Sequence, residues 1–444
     1  MGKQRLAFLT DFVEALSWRD RRRTGSDEAR ARSALDRPAG ERLAAACRVL
    51  MGRMGDAARL AVAEQALEAY AALGPAERSA FFALLRDEFG VSAEAIRAAY
   101  AGWDRGQTPE AAALLFRAAE PARQTLLRRL NMAPGATLKL VEMRADLLAA
   151  MRGDPGLAPV DEDFAHLFAS WFNRGFLTLR RIDWNSPAAV LERIMHYESV
   201  HAMEGWDDLR RRLAARDRRL FAFFHPATGD EPLIFVEVAL TAGMPGRIGE
   251  ILTQPETGEA VEADTAVFYS INNCLPGLKG VSFGNFLIKQ VVAVLAAELP
   301  RLETFVTLSP VPGFARWLAA EADPRAQALG QALGRGDWQH DAAAAAALWP
   351  ELEAVAARYI VEARDAGGRM PDPVGRFHLG NGATAFRLNW PADLSPGAIH
   401  SAHGLMINYL YDPGVIEIQH EAFVRDGTVA HGPALARALA RKTT

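Results

Sequence analysis

The chain predicts an α+β protein, with an N-terminal all-α helical bundle domain over about residues 1–180 and a mixed-sheet domain over 181–444. Three observations carry this. At 444 residues the chain exceeds the size at which one hydrophobic core keeps growing, so two domains are expected. The first part is rich in Ala, Leu, Arg and Glu, with helix stop and start signals and few strand-like runs. After Trp184-Asn185-Ser186-Pro187, short aromatic and β-branched runs begin, separated by turn residues and alternating with helical segments.

In the first domain Gly74-Pro75 marks a boundary between helices, because Gly suits the position past a helix end and Pro the first turn of the next. Ser92 and Thr108, the latter followed by Pro109 and Glu110, read as N-caps. In the second domain Ser186 is expected to cap the helix AAVLERIMHYESV. LFAFFHP and LIFVEVALT, joined through Gly-Asp-Glu-Pro, read as a hairpin. Strands follow near Ala266–Ile271 and Thr304–Leu308. HLG, an Asn381-Gly382 turn and ATAFRLNW give a second hairpin signal, which puts His378 on a strand. An Ala-rich insert, about Leu318–Ala366, reads as a packed or lid-like helical subdomain. No repeat of fixed period is visible.

Half of the residues are apolar and 23% are charged, with a net charge of −4. That is a soluble globular balance, with no global field for nucleic acid or an anionic membrane surface. Any anion site must be local. Cys47 and Cys274 make neither a disulfide framework nor a metal cluster, which fits a reducing, cytoplasmic setting. No export signal or membrane span is indicated, and the end Arg441-Lys442-Thr443-Thr444 is not a Ser-Lys-Leu peroxisomal address. His201, Glu198 and His225 are too scattered for a metal site, so capping or packing is expected. The six-arginine run Arg210–Arg219 reads as a solvated helix face, with a phosphate contact as the alternative.

The most informative stretch is Thr265–Leu295, TAVFYSINNCLPGLKGVSFGNFLIKQVVAVL, which reads as a strand, a glycine-rich loop and a helix. Such a junction binds anions, because unpaired N–H groups and the helix dipole point at whatever sits there. Gly277, Gly280 and Gly284 would let the backbone approach a diphosphate, and Lys279 would add a charge. Further on, TFVTLSPVPGFARWL starts at Thr304, DPVGRFHLGNGATAFRLNWPADLS at Asp372 and GLMINYLYDP at Gly404.

In that order, with YESVH at Tyr197–His201 and NMAPGATLKLVEMRADLL from Asn131, these blocks resemble the malonyl-CoA decarboxylase family as far as Asp412. The resemblance implies a catalytic domain of the GNAT acetyltransferase type, decarboxylation of malonyl-CoA to acetyl-CoA and CO2, and no metal or organic cofactor. It implies Ser309 and His378 as catalytic residues, proton acceptor and proton donor respectively, with Tyr411 near them and Tyr409 as a packing partner. Substrate binding would fall on Lys279, Gly280, Val281, Ser282, Phe283, Gly284 and Asn285, together with Ser309 and His378. Where many relatives carry a glutamate in this loop, the chain has Ser282, so a carboxylate that orients the catalytic pair is missing there. The helical domain is expected to mediate self-association, commonly to a homotetramer.

A rival reading takes Gly280-Val281-Ser282-Phe283-Gly284 as the G-x-S-x-G nucleophile elbow of α/β-hydrolases. Ser282 would then be the nucleophile, with Asp372 or Asp393 as acid and His400 or His403 as base. Residues Asn272–Lys279 separate the elbow from its strand, and the upstream strand and helix series of a doubly wound sheet is missing. A third reading is a non-catalytic acyl-CoA sensor.

Overall fold

The computed structural model describes residues 38–253, 262–281 and 286–441. It divides into two compact units, one made of residues up to Phe176 with His225–Gly229 and Leu275–Ser282, the other of the remainder.

The first unit is helical: α1 (Ala39–Leu50), α2 (Asp56–Ala71), α3 (Pro75–Asp87), α4 (Ala93–Gly106), α5 (Pro109–Ala119), α6 (Ala122–Leu130), α7 (Ala136–Ala150) and α8 (Ala158–Trp171). The punctuation read from sequence sets the ends. Gly74 is the N-cap of α3 with Pro75 at its first position, and Ser92 and Thr108 accept the N–H groups of Ala95 and Ala111 at 3.2 Å each. Its core stacks Phe81, Phe82, Leu126, Leu140, Leu147, Phe164, Phe168 and Phe172, all at most 5% exposed. Helices α4 and α5 differ: neither buries a residue, and Tyr100, Leu114 and Phe116 lie open on them.

The second unit holds an eight-stranded sheet in the order β1-β2-β3-β4-β5-β8-β6, with β7 also on β8. The strands are β1 (Thr178–Ile182), β2 (Arg218–Phe224), β3 (Pro232–Thr241), β4 (Thr265–Asn273), β5 (Thr304–Thr307), β6 (Ser309–Pro310), β7 (Thr384–Asn389) and β8 (Met406–Leu410). The β2–β3 hairpin forms as expected. All pairs are antiparallel except β4–β5, whose connection carries a helix over Phe286–Glu298, as a parallel crossover requires. A mixed sheet with one parallel pair is not the doubly wound sheet that a hydrolase elbow needs. Ala239, Val267, Tyr269, Val306, Leu308 and Met406 form the core of one face.

Three local expectations are corrected. Ser186 does not cap the helix at Ala188–Tyr197; its Oγ accepts the Asp183 N–H and closes the preceding turn. The arginine run is not one solvated face: the helix over Trp206–Ala214 ends inside it and β2 begins. Arg212 and Arg218 are buried, the first on Glu237 at 2.9 Å, the second on Asp217 and the Ile251 carbonyl. The second hairpin signal is half wrong, because FHLG is helical and β7 pairs with β8 instead. The Ala-rich insert forms three helices, Phe314–Ala320, Pro324–Arg335 and Ala342–Val361.

Candidate active site

Strand alternation places four side chains together. Residues i and i+2 share a face, so Thr307 and Ser309 point the same way, and so do Tyr409 and Tyr411. Ser309 pairs with Ile407 of β8, which sets the two strand ends side by side. His378 enters from a helix, Pro373–Gly380. Sequence expected a strand there, yet Asp372-Pro373 is a helix start: Asp372 accepts the Gly375 N–H at 2.7 Å as N-cap, and Pro occupies the first turn.

His378 Nε2 lies 3.1 Å from Ser309 Oγ, and Nδ1 lies 2.7 Å from Tyr411 Oη. Its ring stacks on Tyr409, centroids 4.7 Å apart. Ser309 Oγ also meets Thr307 Oγ1 at 2.8 Å. All five residues are buried, Ser309 being 5% exposed. Burial alone pushes the His378 pKa down to about 3, because a desolvated imidazolium has no counter-charge here. The imidazole is therefore neutral at rest, not the charged acid that an ordinary histidine becomes just below neutrality. Among the described residues no carboxylate touches His378 or Ser309; their partners are hydroxyls and an aromatic face.

Asp372 joins the Ser309 and His378 segments by a second route. Its Oδ2 faces the Gly313 N–H and the Tyr359 hydroxyl, each at 3.4 Å, so the turn after Ser309 and the helix of His378 share one buried carboxylate. Its pKa is raised by burial. A Cβ on Gly375 would stand 3.0 Å from Tyr409 Oη and 2.3 Å from Met370 Cε, which is why only glycine lets this helix lie close to β8. Sequence reasoning missed Asp372 in this role and Thr307 altogether, while Tyr409, expected as a packing partner, stacks on His378. The signals were the Asp-Pro pair and the i, i+2 spacing.

The described part of the glycine loop, residues 275–281, belongs to the helical unit. Arg144 of α7, ion-paired with Asp161, donates to the carbonyls of Gly277 and Lys279 at 2.8 and 2.9 Å. Gly277 does not leave room for a ligand: a Cβ there would stand 1.8 Å from the Val141 carbonyl oxygen, so this glycine serves close packing on α7. Gly280 takes a positive φ of 78°, with open space where a Cβ would be, and Lys279 is exposed while Val281 is buried. Ser282, Phe283, Gly284 and Asn285 lie outside the described residues. Glu198 and His225 act as caps, accepting from Val200 and His201 N–H, and from Ala227 N–H.

Residues 175–444 match the family profile described as malonyl-CoA decarboxylase C-terminal domain, and residues 89–172 match that of the malonyl-CoA decarboxylase N-terminal domain. The mitochondrial malonyl-CoA decarboxylase of Rattus norvegicus is 34% identical over 377 residues, covering 76% of each chain. That of Anser anser anser is 35% identical over 324 residues, or 66% of this chain and 64% of the goose protein. The crystal structure of malonyl-CoA decarboxylase from Rhodopseudomonas palustris superposes with a TM-score of 0.86 at 48% identity, covering 90% of this chain and 99% of that one. The enzyme from Cupriavidus metallidurans gives 0.71 at 35% identity, with 90% and 100% covered. With its profile matches, its relatives and its fold in agreement, the chain belongs to the malonyl-CoA decarboxylase family.

Proposed function

We infer that this family member converts malonyl-CoA to acetyl-CoA and CO2, with Ser309 and His378 in the chemistry and Tyr411 holding the imidazole. The observation that carries this is the buried hydrogen-bonded set Ser309–His378–Tyr411. When the Cα–carboxyl bond breaks, its electron pair passes onto the thioester oxygen, so the barrier falls where donors await that oxygen. A poorly solvated pocket also favours departure of the carboxylate as CO2.

The proton follows from the burial of His378. A malonyl carboxylate brought near the imidazole supplies the counter-charge that its described neighbours do not offer and favours the imidazolium; the enolate that replaces it does the same. Nε2 takes a proton from solvent, CO2 leaves, the proton forms the new C–H bond, and the imidazole returns to neutral. The thioester is the electron sink, so no metal or organic cofactor is required. Lys279 to Asn285 are proposed to bind the nucleotide part of the substrate, on the strength of the anion-binding character of a glycine loop before a helix.

We propose further that residues 1–180 assemble the protein, to a homotetramer, while 181–444 carry the reaction. The apolar side chains left open on α4 and α5, Phe116 being 78% exposed, support self-association. The two unpaired, buried cysteines suit a cytoplasmic setting, and no described helix is long and apolar enough to cross a membrane. Mass spectrometry of the thioester after incubation with malonyl-CoA tests the reading. Acetyl-CoA at a rate unchanged by EDTA supports it; free malonate and CoA contradict it.

A further inference from the structure

We propose that Arg144 is a positioning residue for the substrate: by gripping the Lys279 carbonyl it turns the Gly280 N–H outward, as a donor to the diphosphate of acyl-CoA. This deepens the reading of the loop as the nucleotide-binding segment and rests on it. Arg144 lies on α7 and is 3% exposed. Its Nε and Nη2 donate to the two carboxylate oxygens of Asp161 on α8, at 2.7 and 3.2 Å. Its Nη1 donates to the Gly277 and Lys279 carbonyls, at 2.8 and 2.9 Å.

A buried guanidinium is costly unless it is paired, and Asp161 supplies the counter-charge. The planar fork, fixed on that carboxylate, leaves Nη1 aimed at the loop. Gly277 is held on α7 by packing as well, through its close approach to the Val141 carbonyl. The side chain of Lys279 is exposed, and among the described residues Arg144 is the donor to its carbonyl.

In a trans peptide the C=O and the following N–H point in opposite directions. With the Lys279 carbonyl turned to Arg144, the Gly280 N–H faces away from it. Neighbouring amides are occupied: Leu278 N–H donates to the Leu275 carbonyl at 2.9 Å, Lys279 to Pro276 at 3.1 Å and Val281 to Leu278 at 3.0 Å. Among the described residues the Gly280 N–H meets no acceptor, and Gly280 is exposed, with open space where a Cβ would be. A bare backbone donor of this kind admits a phosphate oxygen closely. Loss of the Arg144 grip frees that peptide to turn, which weakens substrate binding and leaves the chemistry at Ser309 and His378 untouched.

The test compares malonyl-CoA with malonyl-pantetheine, the same thioester without its phosphates. Arg144→Met should raise KM for malonyl-CoA about tenfold, the scale of one hydrogen bond to a charged group, with kcat held within about twofold. Malonyl-pantetheine should change by less than about twofold in kcat/KM. Arg144→Lys, which keeps a cation without the fork, should behave as Arg144→Met does. Equal losses on both substrates would make Arg144 a merely structural residue and overturn the proposal; full recovery in Arg144→Lys would assign the effect to charge and overturn it too. Residue-resolved hydrogen exchange of the wild type, with and without CoA, should show slowed exchange at Gly280. Protection elsewhere in residues 279–285 but not at Gly280 overturns the proposal alone, even if both variants fail to fold. No protection anywhere in 279–285 overturns the nucleotide-binding reading of the loop along with it.

Discussion

Replacing His378 by Gln removes a group that the fold keeps neutral against its nature, and the consequence is measurable without any substrate. Burial lowers its pKa from 6.5 to about 3. Between those values the unfolded chain binds a proton that the folded chain refuses. Stability therefore rises with pH across the window and is lost as pH falls below about 6.5. Each unit below that point costs about 1.4 kcal/mol, so at about pH 5 this residue has removed roughly 2 kcal/mol relative to neutral pH. Glu237 works in the opposite sense: burial raises its pKa from 4.5 to about 7, so its contribution is present at low pH and is lost as pH rises through 7. It is common to both proteins and cancels in the comparison, as do His201, His225 and His403, which are also lowered by burial. Urea unfolding of wild type and His378→Gln at neutral pH and near pH 5 gives the difference of differences. The wild type should lose about 2 kcal/mol more than the variant. Equal losses would mean that His378 is protonated in the folded site, and the neutral-at-rest account would be wrong.

Two further substitutions test the supports of the two units. Gly277→Ala forces a methyl onto the Val141 carbonyl, whose oxygen would stand 1.8 Å away, and should destabilise the helical unit by about 3 kcal/mol in thermal unfolding. A shift of only a few tenths would show that the loop yields without cost. Arg212→Ala leaves Glu237 and Glu198, 2.9 and 3.9 Å from the guanidinium, buried with no cation. It should cost about 3–5 kcal/mol in urea unfolding, and adding Glu237→Gln should recover part of the loss; no recovery would show that the damage is not electrostatic.

The fold class was legible because its signals are local. Gly-Pro and Ser or Thr caps mark helix ends through their own backbone bonds, and the β2–β3 hairpin follows from two apolar runs around a turn. What failed was also local, but contested. FHLGNG has the alternation of a strand and the start signal of a helix; the Asp372 cap and Pro373 decided it, and the helix is what aims His378 at Ser309. The arginine run looked like one solvated face because sequence spacing does not show that the helix stops at Ala214 and that Glu237, from β3, reaches Arg212.

Of the site, the identities of Ser309, His378 and Tyr411 came from family resemblance and not from spacing. A Ser before Pro and a His in a mixed segment carry no mark of their own. Their meeting depends on long-range pairing of β6 with β8, nearly 100 residues apart in the chain. Gly277 was misread because a glycine needed for close packing and one needed for a ligand look alike in sequence. The neutral state of His378 is a property of its complete enclosure, which only the assembled structure supplies.

The central claim, that the reaction runs on Ser309 and His378 and not on the loop serine, is tested most directly by assaying Ser309→Ala beside Ser282→Ala with malonyl-CoA, following acetyl-CoA by mass spectrometry. Ser309→Ala should lower turnover about a hundredfold or more while acyl-CoA still binds. Ser282→Ala removes at most one hydrogen bond and should cost no more than about tenfold. Near-total loss in Ser282→Ala, on the order of a thousandfold, with Ser309→Ala still active and free CoA as the product, would contradict the account and make Ser282 a nucleophile.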